Sequence, residues 1–247
     1  MSTHGPYYSQ FLLSVVCSHS SRFVVKELGD TLVSRARLLM GGEILKESSI
    51  TTVQALLQLS AREMGHGLIS QAWLYSGMAF RMSMDLGLHL STESISSLSH
   101  LTPTDREVRK RAAWSCYLWD KAISLYLGRT PTMTAPPSDE PTFLDDYEET
   151  EAWLPNGLDP KAPANGADYP LTPAYAVSCF RNFCKLGVIV NDILVELYGK
   201  RQDDISVFVH QTKSRLDAWR AQSEKHLVVD MRSLPTACPP PHIVFQK

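Results

Sequence analysis

The residues best suited to chemistry form an acidic run, Asp145-Asp146-Tyr147-Glu148-Glu149. Its D-D-x-x-E spacing places three carboxylates at intervals that suit a magnesium ion, which prefers oxygen ligands. A metal site needs ligands that are held on rigid elements. This run lies instead in a proline-rich stretch, where helices end and loops begin. The sequence therefore favours a solvated acidic loop over a metal site.

A magnesium enzyme of this kind needs a second ligand group on another helix. Asn191-Asp192 could begin such a group, but Val195 stands where a hydroxyl ligand is needed and Gly199 where a carboxylate is needed. The acidic run resembles that of all-helical terpene synthases, so a metal-dependent enzyme of terpene-synthase type is one alternative. The incomplete second group counts against it, and we expect no catalysis.

Neither the histidines nor the cysteines form a metal-binding or catalytic pattern. His89 and Glu93 are four residues apart, but Gly87 should end the helix that would bring them together. His89 is therefore predicted to cap that helix. The five cysteines lack C-x-x-C spacing, and scattered thiols are typical of a reduced, intracellular protein. No cofactor or metal is expected in this chain.

Composition predicts one helical domain rather than a nucleic-acid or membrane module. The chain has 247 residues, 44% hydrophobic and 20% charged, with a formal net charge of -2. This balance provides no basic surface for a polyanion. The apolar run from Phe11 to Val16 is too short to cross a bilayer, and we find no signal-peptide pattern, so no membrane partner is expected.

Apolar residues recur at helical spacing through most of the chain, which predicts an all-α fold, a multi-helix array. The first half is predicted to form five helices: Pro6 to Val25, Asp30 to Leu39, Ser49 to Gly65, Ile69 to Leu86 and Thr104 to Leu127. Short connections favour antiparallel neighbours. Gly87 and Gly128 are placed to cap the last two helices. The fourth helix carries apolar residues on two faces, which predicts that both are buried.

A long proline-rich acidic loop, residues 129–171, follows these helices. Nine of the fifteen prolines lie between Pro131 and Pro173, and a loop of this length predicts a lid or a mobile segment. Further helices are predicted at Thr172 to Tyr198, from Asp203 or Asp204 to His226, and from about Pro239. We therefore expect an N-terminal helical half at 1–128, the loop at 129–171, and C-terminal helices at 172–247 that look incomplete.

Three charged residues, Arg81, Asp85 and Asp120, occur in helices that are otherwise apolar. Such groups are costly to bury unless they are paired. Arg81 and Asp85 are one turn apart and can pair locally, which predicts a buried polar clasp between the two central helices. With Trp114 and Trp119 on the second of these helices, the same residues could instead line an effector pocket. The sequence leaves both interpretations open.

Two motifs on the central helices resemble a known family. The first is Gly77-Met78-Ala79-Phe80-Arg81-Met82-Ser83-Met84-Asp85-Leu86-Gly87-Leu88-His89, and the second combines Glu107 to Trp114, Asp120-Lys121 and Gly128-Arg129. Their order and spacing are similar to those of the fungal-specific transcription factor domain, the helical middle region of fungal zinc-cluster regulators. The similarity extends from Tyr7 to the C-terminus. Ala113, Lys121 and Thr130 depart from the family pattern, in which a second tryptophan, an arginine and an adjacent Arg-Pro pair are usual.

The resemblance implies the regulatory core of a nuclear transcription factor. The family's six-cysteine zinc cluster, which docks DNA, is absent from this chain, so DNA contact and zinc are expected only through a module outside it. The implied partners are another zinc-cluster regulator, in a homo- or heterodimer, and a small-molecule effector. A stand-alone helical protein that pairs with an intact regulator is the alternative. The stretch from Phe143 to Pro155 is similar to nitrate-type and xylanolytic-type regulators.

Overall fold

The computed structural model describes residues 5–21, 26–91, 98–142, 147–154, 172–199, 205–230, 232 and 239–244. The chain divides into two compact units, Met1–Glu140 and Pro141–Lys247. Helices dominate the described residues of both units and are accompanied by a small two-stranded sheet, so the predicted all-α fold is confirmed. The proline-rich stretch does not form a unit of its own, because residues 129–140 belong to the first unit and the remainder to the second.

The first unit is an array of helices in which neighbours along the chain pack together. The helices are α1 (Gln10–Ser20), α2 (Lys26–Glu43), α3 (Ile50–Gly65), α4 (Ile69–Asp85) and α5 (Pro103–Leu127). α1 contacts both α2 and α3, while α3 and α5 each pack against α4. Each of these contacts covers part of the apolar face of a helix, and α3 packs on α1 as well as on α4.

Three helix ends lie where the sequence predicts them. Ser49 caps α3, because its hydroxyl accepts a hydrogen bond from the Thr52 amide at 3.2 Å. Gly87 follows α4 with a φ of 62°, and its amide donates to the Met84 carbonyl at 3.0 Å. Gly128 ends α5 with the same left-handed φ of 62°. Glycine adopts this conformation without the steric cost that a Cβ would bring.

Two predicted helix starts are wrong by a few residues. α1 begins at Gln10 rather than Pro6, because Ser9 is the residue whose side chain caps the helix. α5 is capped by Thr102 and not by Thr104. In each case the capping hydroxyl must precede the first helical amides, and a hydroxyl inside the first turn cannot reach them. A cap assigned from sequence is therefore uncertain by about one turn when several hydroxyl residues are close together.

The predicted bounds of α2 are also wrong. The helix begins at Lys26, so Asp30 lies inside it, and it continues through Gly41 and Gly42. Neither of these glycines has a positive φ. A glycine caps a helix by adopting the left-handed conformation, and these two do not adopt it, so α2 runs on to Glu43 instead of ending at Leu39. The predicted end of the first helix, at Val25, lies outside the described residues.

The core of the first unit lies where its helices cross. Its largest fully buried side chains are Phe11, Leu56, Leu59, Phe80, Tyr117 and Ile123. α4 buries one face and exposes the other, since Ala72 and Ala79 are inaccessible while Leu74 and Met84 are 64% and 41% exposed. The prediction that both faces of this helix are buried is therefore wrong. Helical spacing shows which residues share a face, but not whether a neighbour covers that face.

The second unit is built around one long helix. Its elements are α6 (Tyr147–Thr150), β1 (Ala152–Trp153), β2 (Thr172–Pro173), α7 (Ala176–Gly199), α8 (Ile205–Gln222), a 3₁₀ helix (Lys225–Leu227) and α9 (Pro241–Val244). α6, α8 and α9 each contact α7. The expected helix after Pro239 is therefore present as α9. Its start suits proline, which is well tolerated at the first position of a helix.

The predicted start of α7 at Thr172 is wrong. Thr172 pairs with Trp153 in the antiparallel ladder of β1 and β2, so it is part of a strand. Tyr175 then adopts a φ of 52°, and the helix begins one residue later. A tyrosine with positive φ interrupts helical geometry, which separates the strand from the helix. Neither the pairing nor the unusual φ is visible in the apolar spacing.

A small hydrophobic core joins the start of α7 to the C-terminal segment of the second unit. Cys179 of α7 packs with Leu227, Val229 and Ile243, all of them buried. The Cys179 thiol also donates to the His242 carbonyl at 3.3 Å, so α9 is attached to the start of α7 by both packing and a hydrogen bond. Burial of these side chains removes apolar surface from water and holds the C-terminal segment in place.

Candidate functional site

Asp120, in α5 of the first unit, is a fully buried carboxylate. Its carboxylate accepts hydrogen bonds from the Lys121 ammonium at 2.8 Å, the Thr132 amide at 2.9 Å and the Met133 amide at 2.8 Å. A buried carboxylate is tolerated when it is paired and hydrogen-bonded in this way. Asp120 therefore fastens the segment after α5 to the helix itself.

Lys121 completes this buried cluster and is only 2% exposed. Its ammonium group also donates to the Met133 carbonyl and lies 4.4 Å from the centre of the Tyr117 ring. Burial lowers the pKa of Lys121, and the carboxylate of Asp120 opposes that change. Where the family usually has arginine, the shorter lysine provides a compact charge that reaches both the carboxylate and the carbonyl.

The predicted clasp differs from this cluster in its members. Arg81 and Asp85 lie on the exposed face of α4, so the expectation that they are buried is wrong. Among the described residues, neither forms a hydrogen bond or an ion pair with Asp120. The partner of Asp120 is Lys121, although adjacent residues of a helix do not normally face each other. The buried cluster that does form joins α5 to the following loop, and it contains neither Arg81 nor Asp85.

Trp114 and Trp119 each have a structural hydrogen bond. The Trp114 indole donates to the Asp139 carbonyl at 3.0 Å, and the Trp119 indole donates to the Ser60 hydroxyl at 2.8 Å. Ser60 in turn donates to the Ala72 carbonyl of α4 at 2.7 Å. Buried indoles generally find a partner of this kind. Both indole N–H groups are therefore occupied by protein partners.

Residues 129–140, which we term the strap, run along the first unit in a fixed position. Asp120 binds its start, and Trp114 binds the carbonyl of Asp139 near its end. Between them, the Ser138 amide donates to the His89 carbonyl at 3.0 Å. This part of the predicted loop is therefore hydrogen-bonded to α5 and to the turn after α4.

Arg109 takes the capping position that was expected for His89. Its guanidinium donates to the carbonyls of Leu86 and Gly87 at 2.8 and 3.4 Å, at the C-terminal end of α4. Burial lowers the pKa of Arg109, while Asp139 and Tyr7 oppose that change. A cation at the end of a helix is favourable because the unsatisfied carbonyls there carry partial negative charge.

A second buried carboxylate, Glu63, was missed by the sequence argument. It is fully buried in α3, and its Oε1 accepts a hydrogen bond from Arg37 of α2 at 2.9 Å. Arg62 lies 3.7 Å from the same oxygen. A signal was available, because Glu63 lies four residues after Leu59 and seven after Leu56 on one helical stripe. A charge on an apolar stripe indicates a buried partner.

In the second unit, Glu149 of the acidic run binds the start of α7. Its carboxylate accepts hydrogen bonds from the Ser178 amide at 2.8 Å and the Ser178 hydroxyl at 2.6 Å. A carboxylate is favourable at the positive end of a helix, where the first amides lack partners. Both Glu149 oxygens are therefore engaged. Asp145 and Asp146, the other carboxylates of the predicted magnesium motif, lie outside the described residues.

Ser178, Glu149 and His226 are the residue types of a hydrolytic triad, but their arrangement is different. His226 Nε2 lies 3.1 Å from the Ser178 hydroxyl, and the imidazole stacks on Tyr175 with ring centres 4.1 Å apart. Ser178 is only 2% exposed, and its hydroxyl donates to Glu149. A nucleophile must reach substrate and give its proton to the imidazole. This cluster instead joins α6, α7 and the 3₁₀ helix.

The fold and these sites define an all-α domain whose motif residues cap helices and hold them together. Gly87 and Gly128 end α4 and α5, and Asp120 fastens the strap. The chain belongs to the fungal-specific transcription factor domain family, whose model matches residues 2–221. It is therefore a domain of the kind that fungal transcription factors contain.

Several relatives are transcription regulators by name. The nitrogen assimilation transcription factor nirA of Emericella nidulans is 32% identical over 219 residues, covering 85% of this chain and 24% of nirA. The nitrogen assimilation transcription factor nit-4 of Neurospora crassa is 36% identical over 129 residues, 51% of this chain and 11% of nit-4. A transcriptional regulatory protein of Schizosaccharomyces pombe is 45% identical over 131 residues, 51% of this chain and 21% of that protein. The chain thus spans no more than about a quarter of the length of these relatives.

No solved structure matches the chain. Within the described ranges, no helix combines the length and the apolar character needed to span a membrane. The same ranges contain no group of three or more His, Cys, Asp or Glu side chains placed to hold a metal ion.

Proposed function

We propose that this chain is the regulatory core of a fungal zinc-cluster transcription factor that works in the nucleus and does not itself read DNA or catalyse a reaction. The observation that carries the proposal is the use of the family's motif residues. Asp120 and Trp114 hold the strap, and Gly87 and Gly128 end helices, so the motifs build a scaffold. These residues hold helices in position rather than react with a substrate, so a regulatory role suits the domain better than a catalytic one.

DNA contact would come from a zinc module outside this chain. A formal net charge of -2 provides no general attraction to a polyanion. We expect the purified chain to bind duplex DNA no better than any protein of similar charge. A fluorescence titration at physiological salt tests this point, and sequence-selective binding below micromolar concentration would contradict it.

The regulatory role can be tested by fusing the chain to an unrelated DNA-binding domain in a fungal cell. The fusion should change the output of a reporter gene relative to the DNA-binding domain alone. Asp120→Ala should abolish that change, because it removes the anchor of the strap, whereas Asp85→Ala should not, because Asp85 is exposed. Reporter output equal to that of the DNA-binding domain alone, at equal protein level, would contradict the proposal.

Pairing with another copy or another zinc-cluster regulator is a second candidate function. Leu38 is 82% exposed near the end of α2, Leu45 is 87% exposed in the turn that follows the helix, and Leu28 is 49% exposed on α2 itself. Large apolar side chains this exposed favour association, since water contact is unfavourable for them.

Light scattering of the purified chain tests this pairing. Self-association is expected, and Leu38→Lys with Leu45→Lys should shift the chain toward the monomer. Leu74→Lys is the matched control, because Leu74 is 64% exposed on α4 instead. A stable monomer of the unmodified chain, or an equal effect of the control, would contradict pairing through α2.

A small-molecule effector is the remaining part of the proposal. The relatives nirA and nit-4 are named for nitrogen assimilation, so nitrogen-containing metabolites are the first compounds to examine. Asp120 and Lys121 are engaged with each other and with the strap. A binding site for such a compound is therefore better sought elsewhere in the chain.

A further inference from the structure

The second unit contains a half-open cavity of about 200 Å³ beside the C-terminal half of α8. It is lined by Asn182 of α7, by Leu216, Asp217, Trp219, Arg220 and Ser223 of α8 and its end, and by Leu227 and Val228. Pockets for drug-sized ligands are roughly 300–1,000 Å³, so this one suits a smaller molecule. The volume suits a molecule about the size of a free amino acid.

The framework of this cavity is held in place by its own hydrogen bonds. The Trp219 indole donates to the Asn182 carbonyl at 3.1 Å, and the Asn182 amide donates to the Ser223 hydroxyl at 3.1 Å. Ser223 also donates to the Trp219 carbonyl at 2.9 Å. Three of the polar lining residues are thus engaged with each other. A site whose framework is already ordered loses little entropy when a ligand binds.

The remaining lining offers an apolar floor and two opposite charges. Leu216, Trp219, Leu227 and Val228 provide the apolar surface. Asp217 and Arg220 are exposed and lie three residues apart on the same helix. The structure shows no ion pair between these two side chains, although residues at this spacing are close enough to form one. Both charges are therefore available to a third group at the cavity.

We propose that this cavity binds a small zwitterion of the α-amino-acid class with an apolar side chain. The Arg220 guanidinium would receive the ligand carboxylate, since its planar fork matches a carboxylate in shape and charge. Asp217 would receive the ammonium group, and the side chain would cover the apolar floor. The inference rests on the proposed regulatory function for its biological meaning, because it names the class of effector. The binding itself is independent of transcription.

Occupation of the cavity would act on the segment that holds the second unit together. Leu227 and Val228, which form one wall, directly follow His226, which contacts Ser178 of α7. Glu224, two residues before His226, pairs with Arg181 of α7 at 2.9 Å. A ligand that bridges α8 and this segment would therefore stabilise the contacts among α6, α7 and the 3₁₀ helix. Ligand binding should raise the thermal stability of this unit.

The experiment compares three molecules that share one side chain. Calorimetric and NMR titrations of the full chain use L-leucine, then 3-methylbutylamine, which lacks the carboxylate, and 4-methylpentanoate, which lacks the ammonium group. L-leucine should bind more tightly than either analogue. Each exposed ion pair should contribute about two- to fivefold in affinity, so the differences should be measurable but modest. Glycine, which lacks the apolar side chain, should bind more weakly than L-leucine.

Variants of the lining residues test whether the ligand binds in this cavity. Arg220→Gln should remove the preference for L-leucine over the amine, and Asp217→Asn should remove the preference over the carboxylic acid. Arg215→Gln and Asp192→Asn are matched controls, because these two residues form an ion pair at 2.7 Å on the same two helices and do not line the cavity. Leu216→Trp should fill the cavity and abolish binding, with circular dichroism confirming that the helices remain.

The outcomes separate this inference from the proposed function. Absence of binding at the highest soluble L-leucine concentration would overturn the inference, as would equal binding of all three molecules. Equal losses in the control variants would overturn the assigned location. A reporter response that persists without ligand binding would leave the regulatory role intact. Binding without any reporter response would contradict the regulatory role and not the site.

Discussion

Asp120 and Lys121 are adjacent in sequence, yet their side chains meet in the core, with the ammonium 2.8 Å from Asp120 Oδ2. Neighbouring residues of a helix normally point away from each other. Here the flexible lysine side chain turns toward the carboxylate, and the backbone of Thr132 and Met133 completes the arrangement. The pair therefore works as a single anchor for the strap.

Asp120→Ala should destabilise the first unit by roughly 3–5 kcal/mol, because it leaves the buried Lys121 ammonium without its counter-charge. It also leaves the amides of Thr132 and Met133 without an acceptor. Chemical denaturation of the two proteins measures the effect. Asp85→Ala is the control and should change the free energy of unfolding by less than about 0.5 kcal/mol, since Asp85 is exposed. Similar midpoints for both variants would contradict the anchor.

Thr102→Ala should destabilise the chain by about 1 kcal/mol, because it removes the N-cap of α5. The Thr102 hydroxyl accepts from the Asp105 amide at 3.1 Å, and the Asp105 carboxylate accepts from the Thr102 amide at 3.0 Å. Thr104→Ala tests the alternative start and should have little effect, because Thr104 is exposed within the first turn. Thermal unfolding of both variants decides between them. A larger loss for Thr104→Ala would place the cap there instead.

Some features could be predicted from sequence because they depend on a few neighbouring residues. Ser49, Gly87 and Gly128 are such cases, since a cap requires only the right residue at the end of an apolar stripe. The partner of Asp120 could not be found in this way. Its other partners are twelve and thirteen residues away, in a segment with no regular pattern.

Exposure was the second feature that local pattern could not provide. Arg81 lies in a helix whose sequence is largely apolar, and burial was the natural expectation. The structure leaves Arg81 and Leu74 on a face of α4 that no described helix covers. Whether a face is covered depends on the arrangement of all the helices, and apolar periodicity carries no information about it. Whether a helix face is buried can therefore be determined only from the folded structure.

Gly77→Ala should stabilise the chain by about 0.5–1 kcal/mol. Gly77 lies at the middle of α4 on its exposed face, and an added Cβ would meet no atom within 4 Å. The change removes backbone freedom from the unfolded chain without strain in the folded one. The free energy of unfolding from urea denaturation measures the gain.

Gly29→Ala is the matched control for that prediction. An added Cβ at Gly29 would lie 2.4 Å from the Ser21 hydroxyl oxygen, which donates to the Ser18 carbonyl. The serine would have to move and lose this hydrogen bond, so the variant should be destabilised. A stabilising effect at both glycines would show that helix propensity alone controls these sites.

Tyr7 should titrate at an unusually high pH. Burial and its hydrogen bond to Asp105 raise the pKa of Tyr7 from 10.0 to about 12. Because the folded-state pKa lies above the unfolded value, the stabilisation is fully present below pH 10 and is lost as the pH rises through about 12. Ultraviolet difference titration should show a late phenol phase whose amplitude falls by one tyrosine in Tyr7→Phe. Unchanged titration in that variant would contradict the assignment.

Glu149→Ala should destabilise the second unit by about 1–3 kcal/mol, because it leaves the amide and hydroxyl of the buried Ser178 without their acceptor. Hydrogen exchange at the Ser178 amide should accelerate, which reports on this unit directly. Glu151→Ala is the control, since Glu151 is exposed.

The same two proteins, the unmodified chain and Glu149→Ala, also test whether the acidic run binds magnesium. If Glu149 held a magnesium ion, Mg²⁺ would raise the melting temperature of the unmodified chain and not of Glu149→Ala. With both carboxylate oxygens engaged by Ser178, we expect Mg²⁺ to shift neither protein, and a shift confined to the unmodified chain would revive the metal site.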